Sequence, residues 1–264
     1  MMTISPSRPG VSLTNVSLKY SVPHEKVRSI KEYAIRRLKR SLAFSDFWAL
    51  RDISFEVHTG EVFGIVGRNG AGKTTLLKVV GRVLRPSEGR VLVRGLVAPL
   101  LGLGAGFNDE LTGRENVFLS GATLGFSYRD MQTRFDRIVE FAGLGDFIDA
   151  PVRTYSTGMR ARLGFSVATD VKPDVLLMDE IMSVGDVEFK EKCKQRIEEF
   201  RSSGATVLLV SHSLETIANL CSRGVLLVRG RVTASGEIDN VLQGYQATFT
   251  APVGTKPGAA PRSA

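Results

Sequence analysis

Nine consecutive residues constrain this chain more than anything else in it: Gly67-Arg68-Asn69-Gly70-Ala71-Gly72-Lys73-Thr74-Thr75. They satisfy G-x-x-x-x-G-K-[ST], a glycine-rich loop that must follow a strand and open a helix. The flanks agree, since GEVFGIV reads as a strand and LLKVVGRVL as a helix. Each residue type has a physical reason. Glycines let the backbone curl until successive N–H groups point inward at phosphate oxygens. The helix opening near Lys73 adds its positive dipole end. The Lys73 ammonium then reaches the outer phosphates of a nucleotide, and the Thr74 hydroxyl suits Mg²⁺.

A second constraint lies at Val175-Leu176-Leu177-Met178-Asp179-Glu180, an apolar strand ending in two acids. Adjacent carboxylates at the end of a buried strand are costly unless a cation or a reaction uses them. Taken alone, the pair fits a helix cap equally well. Beside a phosphate loop it becomes the other half of a nucleotide site. Asp179 suits a water-mediated hold on Mg²⁺, and Glu180 suits the general base that deprotonates an attacking water.

The rest of the chain predicts an α/β architecture. Val11–Tyr20 alternates apolar and polar residues as a half-buried strand does, and strand character resumes at Asp52–Val57 and Glu61–Val66. Arg90–Val93, Val175–Met178, Thr206–Val210 and Val225–Val228 read as further strands, the last entering a hairpin that turns at Gly230-Arg231. Helical spacing fills most of Thr112–Ala168 and the stretch EFKEKCKQRIEEFRSSG. Strands alternating with helices predict a mainly parallel sheet with both faces covered. From Lys26 to Leu42, Val27, Ile30, Ala34, Leu38 and Leu42 recur at helical spacing among seven lysines and arginines, which predicts a basic amphipathic helix.

Composition excludes whole classes. With 43% apolar and 23% charged residues the 264-residue chain is globular, and no run of roughly 18 apolar residues predicts a membrane span. The first residues, MMTISPSRPG, lack the pattern of a secretion signal. Cys193 and Cys221 form no metal-type spacing and read as buried small apolar residues, which fits a reducing cytosolic setting. The net charge of +8 fits nucleotide, nucleic acid or a membrane surface and does not choose among them.

The order GRNGAGKTT, YSTGM, LLMDE, SVGD and a histidine closing TVLLVSH resembles an ATP-binding-cassette (ABC) ATPase over about residues 11–245. The resemblance implies a P-loop NTPase core of ABC type, mainly parallel, with an antiparallel β lobe and a helical signature subdomain at about 108–170. It implies an ABC domain over 11–249, with a basic helical insert at about 24–47; residues 1–10 are expected to be flexible, and 250–264, too poor in large apolar residues to pack, are expected to form a disordered tail. ATP and Mg²⁺ follow as its ligands. It implies that Ser156, Thr157, Gly158 and Met159 reach across a homodimer to the partner's ATP, so that each active site is shared. Asp186 matches the inter-subunit aspartate, and His212 the histidine that senses the γ-phosphate. An aromatic near the first strand stacks on adenine, and either Tyr20 or Trp48 answers to it.

Two features narrow the resemblance. The family carries a glutamine between the two phosphate motifs, whereas APLLGLGAGF at 98–107 has none, so another group or water completes the metal shell. The YSTGM variant, this glycine-rich loop, SVGDVEF and the basic insert resemble the ATPase subunits that export O-antigen, capsular or teichoic-acid polysaccharide. Such a subunit is expected in the cytoplasm, attached to the inner face of the membrane through a permease present in two copies, and only indirectly in touch with lipid-linked polysaccharide. An additional C-terminal carbohydrate-binding domain, present in some members, is not expected within this length. Another cargo, such as a drug, lipid or nutrient, remains the alternative. A soluble cassette acting on nucleic acid is a third reading, not expected because such proteins usually carry two cassettes or long coiled coils. The insert itself is open to three roles: a solvated charged face, a contact with permease or anionic lipid, or a gate for the lipid-linked sugar.

Overall fold

The computed structural model describes residues 9–23, 44–104, 106–179, 186–211 and 213–250. The expected basic helix, the Glu180 and His212 sites, and the expected tail beyond Thr250 therefore lie outside the described residues.

Two sheets divide the strands. The first is antiparallel, with β1 (Pro9–Pro23) between β2 (Phe44–His58) and β4 (Glu88–Val93). The second has the order β5-β6-β7-β3-β8-β9, from β3 (Val62–Val66), β5 (Val97–Leu100), β6 (Val175–Asp179), β7 (Thr206–Val210), β8 (Arg223–Val228) and β9 (Arg231–Glu237). Its strands are parallel except β9. β3, β6 and β7 are almost wholly buried, as their unbroken apolar runs require of strands covered on both faces.

Seven α-helices complete the described chain. They are α1 (Lys73–Val80), α2 (Gly113–Thr123), α3 (Tyr128–Ala142), α4 (Thr157–Thr169), α5 (Val187–Ser202), α6 (Leu214–Leu220) and α7 (Ile238–Thr250). One core cluster fills the space between the two sheets around Phe55, Phe63 and α1. A second lies on the opposite face under α4 to α7, around Phe165, Phe189 and Val241. A third belongs to the helical lobe of α2, α3 and α4. Capping boxes at Thr112–Glu115 and Ser127–Asp130 start α2 and α3, each satisfying two otherwise orphaned donors. Among the described residues no helix is long and apolar enough to cross a membrane.

Several elements differ from the sequence reading. The first strand runs beyond Val11–Tyr20 at both ends, because Pro9 pairs with His58 and Pro23 with Phe44. Pro9 and Gly10, expected in a flexible segment, thus belong to the sheet, and the Gly10 carbonyl accepts from the Arg94 N–H at 3.0 Å. Phe44–Phe47, grouped with the insert by composition, are strand, held by Asp46 accepting from Lys19 at 2.8 Å and from Ser21 at 2.6 Å. Pro23 and Phe44, the described residues on either side of 24–43, are thus cross-strand partners. β5 emerges from the glycine-rich stretch that carries no local strand signal. The β8–β9 turn is Arg229-Gly230, one residue earlier than read, with φ of 48° and 75°, the pair of left-handed residues that a two-residue hairpin favours. Both cysteines are free and buried, and burial pushes their thiols up to about 12.

Candidate functional site

The C-terminal ends of the parallel strands gather the chemistry, where crevices in open α/β sheets form. β3 delivers residues 67–72 directly onto α1. The loop is pressed so closely against β8 that a Cβ on Gly67 would stand 2.4 Å from the Leu227 carbonyl oxygen. Gly72 adopts φ 105°, and a Cβ there would stand 2.9 Å from the Ala49 carbonyl oxygen. Only glycine fits either place. The β8–β9 turn stitches the loop to its neighbours: Gly230 N–H donates to Ala71 O at 2.9 Å, while Gly230 O accepts from Arg51 N–H at 2.8 Å.

Lys73 lies inside this curl with 7% of its surface exposed. Its ammonium donates to Gly67 O at 2.7 Å and to Arg68 O at 3.2 Å. Burial holds its pKa below the ordinary lysine value, and the nearby Asp179 carboxylate opposes that shift. Thr74 Oγ1 donates to Asp179 Oδ2 at 2.7 Å, which brings the end of β6 to the first turn of α1. These are hard oxygen donors of the kind Mg²⁺ takes, alongside waters and substrate phosphates. Among the described residues no group of three or more His, Cys, Asp or Glu could hold a metal unaided.

Around the loop opens a cleft of ≈ 890 Å³, lined by Asn69 to Thr75, Asp179, the β8–β9 turn and an aromatic wall from the β1–β2 hairpin. That wall consists of Tyr20, Phe47 and Trp48. Tyr20 and Phe47 are direct cross-strand partners and both are exposed, at 41% and 62%. Trp48 is half-buried, with Lys19 Nζ and Arg51 Cζ each 5.7 Å from its ring centroid. Tyr20 and Phe47 therefore offer the wall's freer rings. Phe47, Arg229 and Gly230 were missed by sequence reasoning. The Arg-Gly pair between LLV and RVTA was a local signal for the turn, whereas Phe47 had none, since it reaches the cleft by pairing with Tyr20.

The Ser156 turn lies elsewhere. Ser156 starts α4, and its Oγ accepts from Met159 N–H at 3.1 Å. Tyr155 anchors the turn from below, its hydroxyl donating to Phe147 O at 2.6 Å. Ser156 and Thr157 are exposed, Gly158 and Met159 half-buried, and none of the four lines the cleft. Asp186 caps α5 by accepting from Phe189 N–H at 2.9 Å, and it also pairs with Arg162 of α4. The Phe189 N–H, with Arg162 assisting, keeps the Asp186 carboxyl below its ordinary pKa. The glutamine-free loop rests on α4 as well. A Cβ on Gly164 would stand 2.5 Å from Gly104 N, and Arg160 pairs with Asp109 at 2.7 Å. A second cleft of ≈ 710 Å³, between α3 and α5, holds none of the motif residues.

A family model for "ABC transporter" matches residues 50–183, which span the phosphate loop, the Ser156 turn and the acidic strand. The chain belongs to the ABC transporter family. This ABC chain is 41% identical over 240 residues to an O-antigen export system ATP-binding protein of Klebsiella pneumoniae, covering 90% of this chain and 98% of that one. It is 51% identical over 199 residues to an ABC transporter protein of Aeromonas salmonicida, covering 75% of this chain and 65% of that one. It is 43% identical over 201 residues to a teichoic acids export ATP-binding protein of Lactococcus lactis, covering 76% and 43% respectively. An ATP-binding subunit of an ABC transporter shares the fold, with a TM-score of 0.68 at 21% identity over 91% of this chain and 99% of that one. A dimeric bacterial ABC transporter cassette shares it with a TM-score of 0.64 at 22% identity, covering 86% and 98%.

Proposed function

We propose that this ABC ATPase powers export of a lipid-linked polysaccharide, working as a homodimer against a separate transmembrane permease present in two copies at the cytoplasmic face of the membrane. The observation that carries the cargo class is the match to an O-antigen export ATPase across nearly that protein's whole length. The teichoic acids export relative supports the same broad class of cell-surface polymer. The shared active site is inferred from the exposure of the Ser156 turn, whose N–H groups at the start of α4 find no place in the chain's own cleft.

ATP enters with its base against Tyr20 and Phe47, a ring-on-ring contact that suits any base, with Trp48 behind them. The outer phosphates draw the Lys73 ammonium away from the Gly67 and Arg68 carbonyls, and the N–H groups of Asn69 to Thr75 close on the inner ones. Thr74 and Asp179 would hold Mg²⁺, which when bound would supply positive charge against the crowded phosphate oxygens. Glu180 accepts the proton of the attacking water as its oxygen bonds to the γ-phosphorus and the bond to the β-phosphate oxygen breaks. From the partner subunit, the serine-glycine turn at 156–159 meets the γ-phosphate, with the aspartate loop at Asp186 alongside and His212 in the same subunit as Glu180. ATP closes the dimer, hydrolysis releases it, and the permease receives the motion.

The test is purification from membranes in mild detergent. A polytopic permease carrying a polyprenyl-linked glycan should co-purify, and ATP turnover should rise with dimer concentration. Full-rate turnover by a strictly monomeric preparation would remove the shared site, and a different bound cargo would remove the polysaccharide.

A further inference from the structure

The phosphate loop has another neighbour that no motif announces. α7 packs on β8 and β9, with Ile238 and Val241 buried in the core, and its last turn ends beside the loop. There the Arg68 guanidinium carbon stands 5.1 Å from the centroid of the Phe249 ring. Phe249 is itself steered by Tyr245, one helical turn earlier, whose ring meets it edge-on at 5.1 Å and 81°. Tyr245, Thr248, Arg68 and the end of β8 enclose a cleft of ≈ 440 Å³ behind the loop.

Arg68 is held at both ends. Its side chain rests on α7, while its carbonyl accepts from Ala71 N–H at 3.0 Å and from Lys73 Nζ at 3.2 Å. The bond from Ala71 N–H is part of the loop's own curl, so whatever fixes Arg68 also fixes that curl. Phe249 is 57% exposed, so the ring is not there to fill a core.

We propose that Phe249, seated by Tyr245, is a positioning residue for ATP binding, acting through Arg68 to hold the phosphate loop in its binding shape. This rests on the cleft being the ATP site. A loop held in its binding conformation loses less freedom when the triphosphate arrives. An exposed cation–π contact is weak, and its loss corresponds to an affinity change of about two- to fivefold.

The experiment uses the full chain, with ATP binding measured by calorimetry and turnover measured in parallel. Phe249→Ala should weaken ATP binding by about two- to fivefold and raise KM equally, with kcat unchanged. Phe249→Trp keeps a ring over the guanidinium and should restore the wild-type constant. Arg68→Ala should show the same loss, and adding Phe249→Ala to it should change nothing further, since both remove one contact. An unaltered constant in Phe249→Ala, strictly additive losses in the double variant, or a fall in kcat alone would each overturn the proposal. Absence of ATP binding by the wild-type chain would instead sink the reading of the cleft itself.

Discussion

The phosphate loop and the Ser156 turn are built from the same physics and finished differently. Both present backbone N–H groups at the start of a helix. In the loop those groups line a deep cleft, with Lys73 bonded to two loop carbonyls and Thr74 to Asp179. At the turn the cap is complete, because Ser156 accepts from Met159, yet the surface is open. The first region is a receptacle and the second is a face waiting for one. Under the proposed function one chain would carry two unlike halves of a site, which a second copy would bring together.

The difference can be broken from either side. Lys73→Ala should abolish tight ATP binding by the isolated subunit, as measured by calorimetry, because among the described residues no other buried cation lines the cleft; unchanged affinity would remove the receptacle. Glu180→Gln should leave binding intact and slow turnover by at least ~10²-fold, the low end for loss of a general base. Near-normal phosphate release would assign that proton transfer to another group. Ser156→Ala should spare binding to one subunit and lower hydrolysis by about tenfold, the scale of one hydrogen bond to a charged group. Mixing Ser156→Ala with Lys73→Ala subunits should recover activity, since both changes fall in one composite site and the other site is intact. Tyr20→Ala should weaken ATP binding by about fivefold, the lower end for loss of a stacked ring, because Phe47 and Trp48 remain. No loss on removing both Tyr20 and Phe47 would move the base elsewhere.

The same contrast explains what the sequence could disclose. Lys73, Thr74 and Asp179 were legible because a loop that must curl around phosphate, and a buried strand that ends in acid, leave local patterns. Ser156 was singled out only by the order of motifs along the chain, and its cap on α4 emerges from the structure. Phe47 was not, because it reaches the cleft by pairing with Tyr20 from 27 residues away, and its own neighbours look like the end of a charged insert. Arg229 and Gly230 arrive by a hairpin turn whose tie to Ala71 is long-range, and Phe249 arrives on a helix that packs across β8. β5 escaped notice for a related reason. Its four residues borrow their order from β6, to which Val97–Leu100 are paired residue for residue from Val175 to Met178. What pairing across the chain creates, spacing along it cannot announce.

The lysine bridging two carbonyls of its own loop has an energetic consequence. Nucleotide meets a cradle already in shape, so binding is a trade of one set of partners for another rather than the assembly of a site from loose chain. One part of a measured affinity would therefore be the difference between phosphate and carbonyl as companions for one ammonium. Under the proposed function an idle subunit would keep its cradle between turnovers, ready for the next nucleotide without refolding anything.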